Sequence, residues 1–294
     1  MGTGLSRSDD AAASRASRRL IQTMPALALM LGGVRAAVGF LVAAWRGAGV
    51  ALSLAGVGVG AFLLGVRWGA TPAWQAVWLG AALLAAIIAQ SALYRLALAR
   101  PGIEPGGLQW GRAEGRLLAV WLLTAIFLFI LGLLAFTALI ASAYAVASAG
   151  NGFAAAEPAT WARAVDGRGR FAVGAVAVAG AAALVWARMR ICLAPAASVA
   201  RGRVQVLSTW PITRGTAWPI TAAWALISVG PMLLLLALSH FAPIAPATSW
   251  AIIVAVALAK GLVVAGLWLP LDAGLMSYLY RRPDPPSPAS PPSP

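Results

Sequence analysis

Six apolar runs, each close to the length that crosses a bilayer and each bounded by arginine, proline or glycine, constrain this chain more than any other feature. They cover residues 47–66, 74–94, 117–140, 171–191, 217–238 and 249–270. A hydrocarbon core about 30 Å thick is crossed by roughly 20 helical residues. Because no water reaches a backbone amide or carbonyl there, a spanning segment must satisfy its own hydrogen bonds, as a helix does. The expected fold class is therefore all-α: a polytopic membrane protein with about six transmembrane helices. Composition agrees: 61% of the residues are hydrophobic and 10% charged, whereas soluble domains carry roughly 25% charged residues.

The formal net charge is +14, which in a soluble chain would suggest nucleic acid. Here the arginines sit between apolar runs rather than on a polar domain, so they read as topology determinants and no nucleic-acid partner is expected. Along alternate sides of six spans, the arginines from Arg7 to Arg46, those from Arg95 to Arg116, those from Arg188 to Arg214, and Arg281 and Arg282 share one side. Only Arg67, Arg163, Arg168 and Arg170 fall on the other. The positive-inside rule makes the first side cytoplasmic and puts both termini there.

Residues 1–19, rich in Ser, Ala and Arg without an apolar period, are expected to be disordered, as is the Pro/Ser-rich tail 281–294. The transmembrane domain is expected to occupy 20–280. Within it, 20–34 resembles the apolar part of a signal peptide but lacks a clean small-x-small cleavage site. It is short for a span; a seventh span and a later start at Met24 or Met30 both remain open. Pro101-Gly102 and Pro105-Gly106-Gly107 break the chain between the second and third runs, and Gly230-Pro231 should kink the fifth.

The stretch 188–218 carries the densest pattern. Wound as a helix from Ser198, it places Ser198, Arg201, Gln205 and Ser208 on one face and Val199, Val206, Leu207 and Trp210 on the other. Such a helix is expected to lie flat on the cytoplasmic leaflet with Arg203 snorkelling, one of several short amphipathic interfacial helices. A second, weaker case groups Gln109, Arg112 and Arg116 near Trp110.

In the same stretch, Arg190, Leu193 and Pro195, then Ser208-Thr209-Trp210, Thr213-Arg214-Gly215 and Trp218, resemble the signature of bacterial six-span inner-membrane proteins similar to the YciC-like proteins and to the membrane domain of glycerophosphoryl diester phosphodiesterases. The resemblance covers about thirty residues and does not extend to the soluble phosphodiesterase domain. It departs from the group at Arg201-Gly202, where an acidic residue often precedes the glycine. What it implies is a bacterial inner-membrane location and a six-span shape; the group's own chemistry is not defined by it.

Candidate site residues follow from charge and depth. Arg190, Arg201, Arg203 and Arg214 are placed to meet lipid phosphate, which guanidinium groups bind through paired N–H donors, and Trp210 and Trp218 are expected as interfacial anchors. Lys260 is the only lysine and lies deep in the sixth run, where a charge costs roughly 2.5–3.5 kcal/mol. It should therefore face protein, water or an anion, with Gln90 and Ser91 as candidate companions. His240, the sole histidine, reads as interfacial, and the acidic residues have no metal-ligand spacing. No cofactor, metal or catalytic group is expected. The function expected is a non-enzymatic membrane-homeostasis or assembly factor contacting anionic lipid. The alternative is a small-solute or lipid transporter with an anion site near Lys260.

Overall fold

The computed structural model describes residues 26–69, 71–100, 104–149, 167–211, 213, 216–240 and 249–281. The segment 1–19, the tail beyond Arg281 and Arg214 lie outside them. The elements are helices α1 (Ala26–Arg67), α2 (Pro72–Ala97), α3 (Arg112–Ser148), α4 (Gly167–Arg190), α5 (Ala194–Arg201), α6 (Ala217–His240), α7 (Trp250–Leu262) and α8 (Leu269–Tyr280). Short 3-10 turns occupy Pro105–Gly107 and Leu207–Thr209, and a π-helical segment, Val263–Trp268, joins α7 to α8 without a break. No strand occurs among the described residues, and six helices are long and apolar enough to cross a membrane. The fold is all-α and polytopic.

Burial is inverted relative to a soluble bundle. Small residues are inside and bulky apolar ones outside, because lipid accepts a leucine as readily as a protein core does while close helix contact demands small side chains. On α1, Ala51, Leu52, Ala55, Gly56 and Gly60 are buried, whereas Leu54 and Val57 face outward. The decisive contact lies between α1 and α7. A Cβ built on Gly261 would overlap the carbonyl oxygen of Gly56 and lie 2.9 Å from the nitrogen of Gly60, so the two backbones touch where no side chain intervenes.

The first helix is longer than the apolar run it contains. α1 begins at Ala26 and includes much of the stretch left open between a signal sequence and a seventh span. It passes through non-helical angles only at Ala48 (φ −132°, ψ 19°). Ahead of that kink Leu29, Gly33, Ala37 and Ala44 form a buried stripe facing α8, where Gly274 lies against Ala37 and Phe40. Arg35 and Arg46 are exposed on other faces of the same helix, beside outward Leu27, Leu31, Val38 and Val42. The arginines therefore do not interrupt it. At the kink, the turn Pro105–Gly107 is wedged between α1 and α2. Gly106 and Gly107 both have φ +76°, and a Cβ on Gly107 would come within 2.9 Å of Ala92 and 3.1 Å of Ala48. Conformation and room both require glycine there.

The flat helix expected from Ser198 to Trp210 is not formed. α5 ends at Arg201 because Gly202 adopts the left-handed conformation (φ +65°), a common helix stop. Residues 203–206 are non-helical before the 3-10 turn at Leu207–Thr209. Nor does α5 lie free on a surface: Ala194 to Ser198 are buried, packed against α2 and α8. At Gly230-Pro231, α6 continues as one helix with Pro231 buried inside it. Its Trp224 meets Trp268 of the π-helical segment, ring centroids 6.2 Å apart and tilted by 40°.

The described residues group into two compact units. One is residues 121–191, a hairpin of α3 and α4 packed through Gly180 against Ala135 (3.2 Å from a built Cβ) and Gly132 towards Leu184. Its outward face is strongly apolar, with Phe129 71% and Phe171 80% exposed, as expected of a surface that meets acyl chains rather than water. The other unit comprises residues up to Val120 and from Cys192 onward, and holds the site described next.

Candidate functional site

At the end of this unit where α2, α5 and α8 finish and α3 begins, the polar side chains form a connected framework. It is centred on Glu114, which is fully buried. Arg95 Nη2 donates to Glu114 Oε1 at 2.6 Å, Ser91 Oγ donates to the same oxygen at 2.7 Å, and the Gly111 amide donates to Oε2 at 2.9 Å. The last contact is half of a capping box: a glutamate in the first turn of α3 returns to the amide just before the helix and satisfies a donor the helix leaves open. One carboxylate thus starts α3 and ties it to α2.

A second group surrounds the end of α5. Ser198 Oγ accepts the Gln205 amide at 2.9 Å and donates to the Gln205 carbonyl at 3.3 Å, closing a short loop about Gly202. Gln205 Oε1 accepts from Arg201 Nη1 at 3.0 Å, and Arg201 Nε donates to the Tyr280 hydroxyl at 3.1 Å. Arg100 Nη2 donates to the carbonyl of Ala200, one of the last carbonyls of α5, which lack partners within the helix. Arg116 holds the Arg112 carbonyl through Nε at 2.8 Å, and its Nη1 lies 2.9 Å from where a Gly202 side chain would begin. Residues from four separate stretches of chain therefore place Arg100, Arg116 and Arg201 around a single turn, with exposed Arg203 next to it. The framework's acidic centre, Glu114, is engaged by Arg95, so the group presents positive charge outward.

The expected site residues separate into those the fold gathers and those it does not. Ser198, Arg201 and Gln205 do meet, through a closed loop rather than along a helix face. Arg203 is exposed, Trp210 half-buried and Trp218 79% exposed. Arg190 is buried, its guanidinium 5.6 Å from the centre of the Trp186 ring, within cation–π range. It is held within protein rather than offered at a surface. Gln90 is buried on α2, next to Ser91 of the Glu114 cluster, whereas Lys260 sits on α7, which packs on α1 and α6. The fold does not bring these two helices into extensive contact. Lys260 is half-buried and makes no hydrogen bond or ion pair with another described residue. Its neighbour Gly261 faces Gly56 and Gly60 of α1, where the apolar runs 249–270 and 47–66 meet.

Sequence reasoning missed Glu114 as an organising residue, though Gly111-x-x-Glu114 ahead of an apolar run was the signal for it. It also missed Arg100 and Arg116 as companions of Arg201, for which no local pattern exists. Among the described residues no group of three or more His, Cys, Asp or Glu is close enough to hold a metal ion. Fold and composition define the class: a multi-pass helical membrane protein. No family model, curated protein or solved structure matches the chain.

Proposed function

We propose that this protein is a non-enzymatic membrane-homeostasis or assembly factor of a bacterial inner membrane, acting through contact between its basic end and anionic lipid headgroups. The observation that carries the reading is the convergence of Arg100, Arg116, Arg201 and Arg203 on the turn at Gly202. Guanidinium groups pair with phosphate through two parallel donors, and anionic lipid enriches the cytoplasmic leaflet. The arginine asymmetry of the sequence supports a cytoplasmic basic end with both termini on that side. The resemblance of residues 190–218 to six-span inner-membrane proteins supports the same location. Arg214, outside the described residues, is expected to join the group.

The test is native mass spectrometry of the full chain in mild detergent, loaded with phosphatidylglycerol or phosphatidylcholine. Wild type should retain phosphatidylglycerol in preference, and the double variant Arg201→Ala/Arg203→Ala should retain several-fold less. Equal retention of both lipids by both proteins sinks the reading.

A second reading, transport of a small anionic solute or lipid, is favoured by one observation: Lys260 lies inside the apolar run 249–270 with no partner among the described residues. A lone cation within a spanning helix is costly and marks ion or substrate pathways in membrane proteins. Anion flux into proteoliposomes that disappears in Lys260→Met supports transport; flux that is absent from wild type, or unchanged in the variant, removes it.

A further inference from the structure

Arg46 stands where an exposed cation, an aromatic wall and an open apolar groove coincide. The groove is lined by Leu41, Val42, Trp45 and Arg46 of α1 and by Gly266 and Leu267 of the π-helical segment. Its shape follows from the backbone. The Trp45 indole N–H donates to the Gly266 carbonyl at 2.9 Å, and a Cβ on Gly266 would overlap the indole ring, so the tryptophan is fixed against a bare stretch of helix. The π-helical turn widens the helix there, a feature that often accompanies functional sites. Arg46 is exposed and makes no hydrogen bond or ion pair with another described residue.

Depth narrows what can occupy this groove. Trp45 and Arg46 directly precede the apolar run 47–66 and the kink at Ala48. The boundary of such a run is where acyl chains meet phosphate, the level at which tryptophan and arginine are favoured. Leu41, Val42 and Leu267 offer apolar surface beside that cation. An occupant must combine a negative head with a hydrocarbon body at this depth.

We infer that the groove is a binding site for one anionic phospholipid of the surrounding bilayer, its phosphate on Arg46 and the first part of an acyl chain against Leu41, Val42 and Leu267. The site uses none of the arginines around Gly202. It deepens the anionic-lipid reading but can fail or stand separately from it.

The experiment titrates the full chain in mild detergent with dioleoyl phosphatidylglycerol and reads bound lipid by native mass spectrometry. The proteins compared are wild type, Arg46→Ala, Leu267→Trp and Arg201→Ala/Arg203→Ala. Leu267→Trp fills the groove while leaving the charge in place, so it serves even where Arg46→Ala alters folding. Of the phosphatidylglycerol molecules that wild type retains, one should be held at least about tenfold more weakly by Arg46→Ala and by Leu267→Trp yet kept by Arg201→Ala/Arg203→Ala, whose several-fold loss should fall on the separate lipid of the basic end. Phosphatidylcholine should bind wild type no better than it binds Arg46→Ala, and glycerol 3-phosphate should not displace the lipid. The inference is overturned if both groove variants keep wild-type affinity, which would leave only loosely held surface lipid. It is overturned equally if glycerol 3-phosphate competes, because the site would then recognise a free anion. Loss of binding confined to the Arg201→Ala/Arg203→Ala variant would uphold the basic-end reading and reject the groove.

Discussion

Replacing Glu114 should be the most damaging single polar change in this protein, and its size can be worked from its partners. The carboxylate is 0% exposed and receives three donors: Arg95 at 2.6 Å, Ser91 at 2.7 Å and the Gly111 amide at 2.9 Å. In Glu114→Ala all three lose their acceptor at once, and the Arg95 side chain, only 13% exposed, becomes a nearly buried cation without its counter-ion. Removing one partner of a buried pair costs about 3–5 kcal/mol, much of it the uncompensated charge that remains. Glu114→Gln tests that logic more closely. Its amide nitrogen must face either Arg95 or the Gly111 amide, donor against donor, so a near-isosteric change should still cost about 1–3 kcal/mol. The assay is reversible denaturant unfolding in detergent micelles across the cycle of Arg95→Met, Glu114→Gln and the double variant. Because the double variant strands no charge, it should be more stable than the sum of the two single losses implies. A Glu114→Ala loss below about 1 kcal/mol, or strict additivity in the cycle, would refute the claim that this pair organises the junction of α2 and α3.

Two further substitutions test the backbone arguments. Gly261→Ala places a methyl against the backbone of Gly56 and Gly60, which cannot turn aside, so α1 and α7 must separate; the loss should be about 1–3 kcal/mol by the same unfolding assay, whereas Gly230→Ala, with open space at its Cβ, should change little. Gly202→Ala meets only the mobile end of Arg116, so its cost should be the left-handed backbone alone, about 1–2 kcal/mol; because that turn carries Arg201, retention of phosphatidylglycerol should fall with it, and unchanged retention would disconnect the turn from the lipid.

Much of the fold was legible because lipid imposes simple rules. Each of the six apolar helices carries one of the apolar runs, and Gly56 and Gly60, four residues apart, have the small-residue spacing of a face for close helix packing, which Gly261 fills. The partner itself could not be read, since helix spacing identifies a face and not what meets it. Residues 198–210 failed in an instructive way. A period of 3.6 grouped Ser198, Arg201 and Gln205 correctly, yet the grouping is produced by a loop closed between Ser198 and Gln205. Gly202, directly after an arginine at a helix end, was the stop signal that the periodicity obscured. The length of α1 is not visible in the apolar run 47–66, which starts after Arg46. Arg35 and Arg46 are compatible with one helix because its buried stripe, Leu29, Gly33, Ala37 and Ala44, lies on another face.

The distribution of polar contacts explains why the proposed lipid contact belongs at one end. The contact between α1 and α7 is made by Gly56, Gly60 and Gly261, with no polar side chain required. Ser91, Arg95 and Glu114, and Arg201, Gln205 and Tyr280, are gathered instead where helices end; the buried Glu114 and Ser91 are offset by their own hydrogen bonds, while Arg201 is exposed. Arg201 is held there at two of its nitrogens, Nε and Nη1, before any ligand arrives. A guanidinium fixed in this way loses less conformational freedom on meeting a phosphate than a free side chain does, and Nη2 is left to donate to it. Lysine at that position has a single ammonium and could not hold Gln205 and Tyr280 in the same planar fork. The buried framework and the exposed charge are therefore one construction: Glu114 and Ser198 fix the backbone turns, and the turns fix the arginines that the proposed lipid would meet.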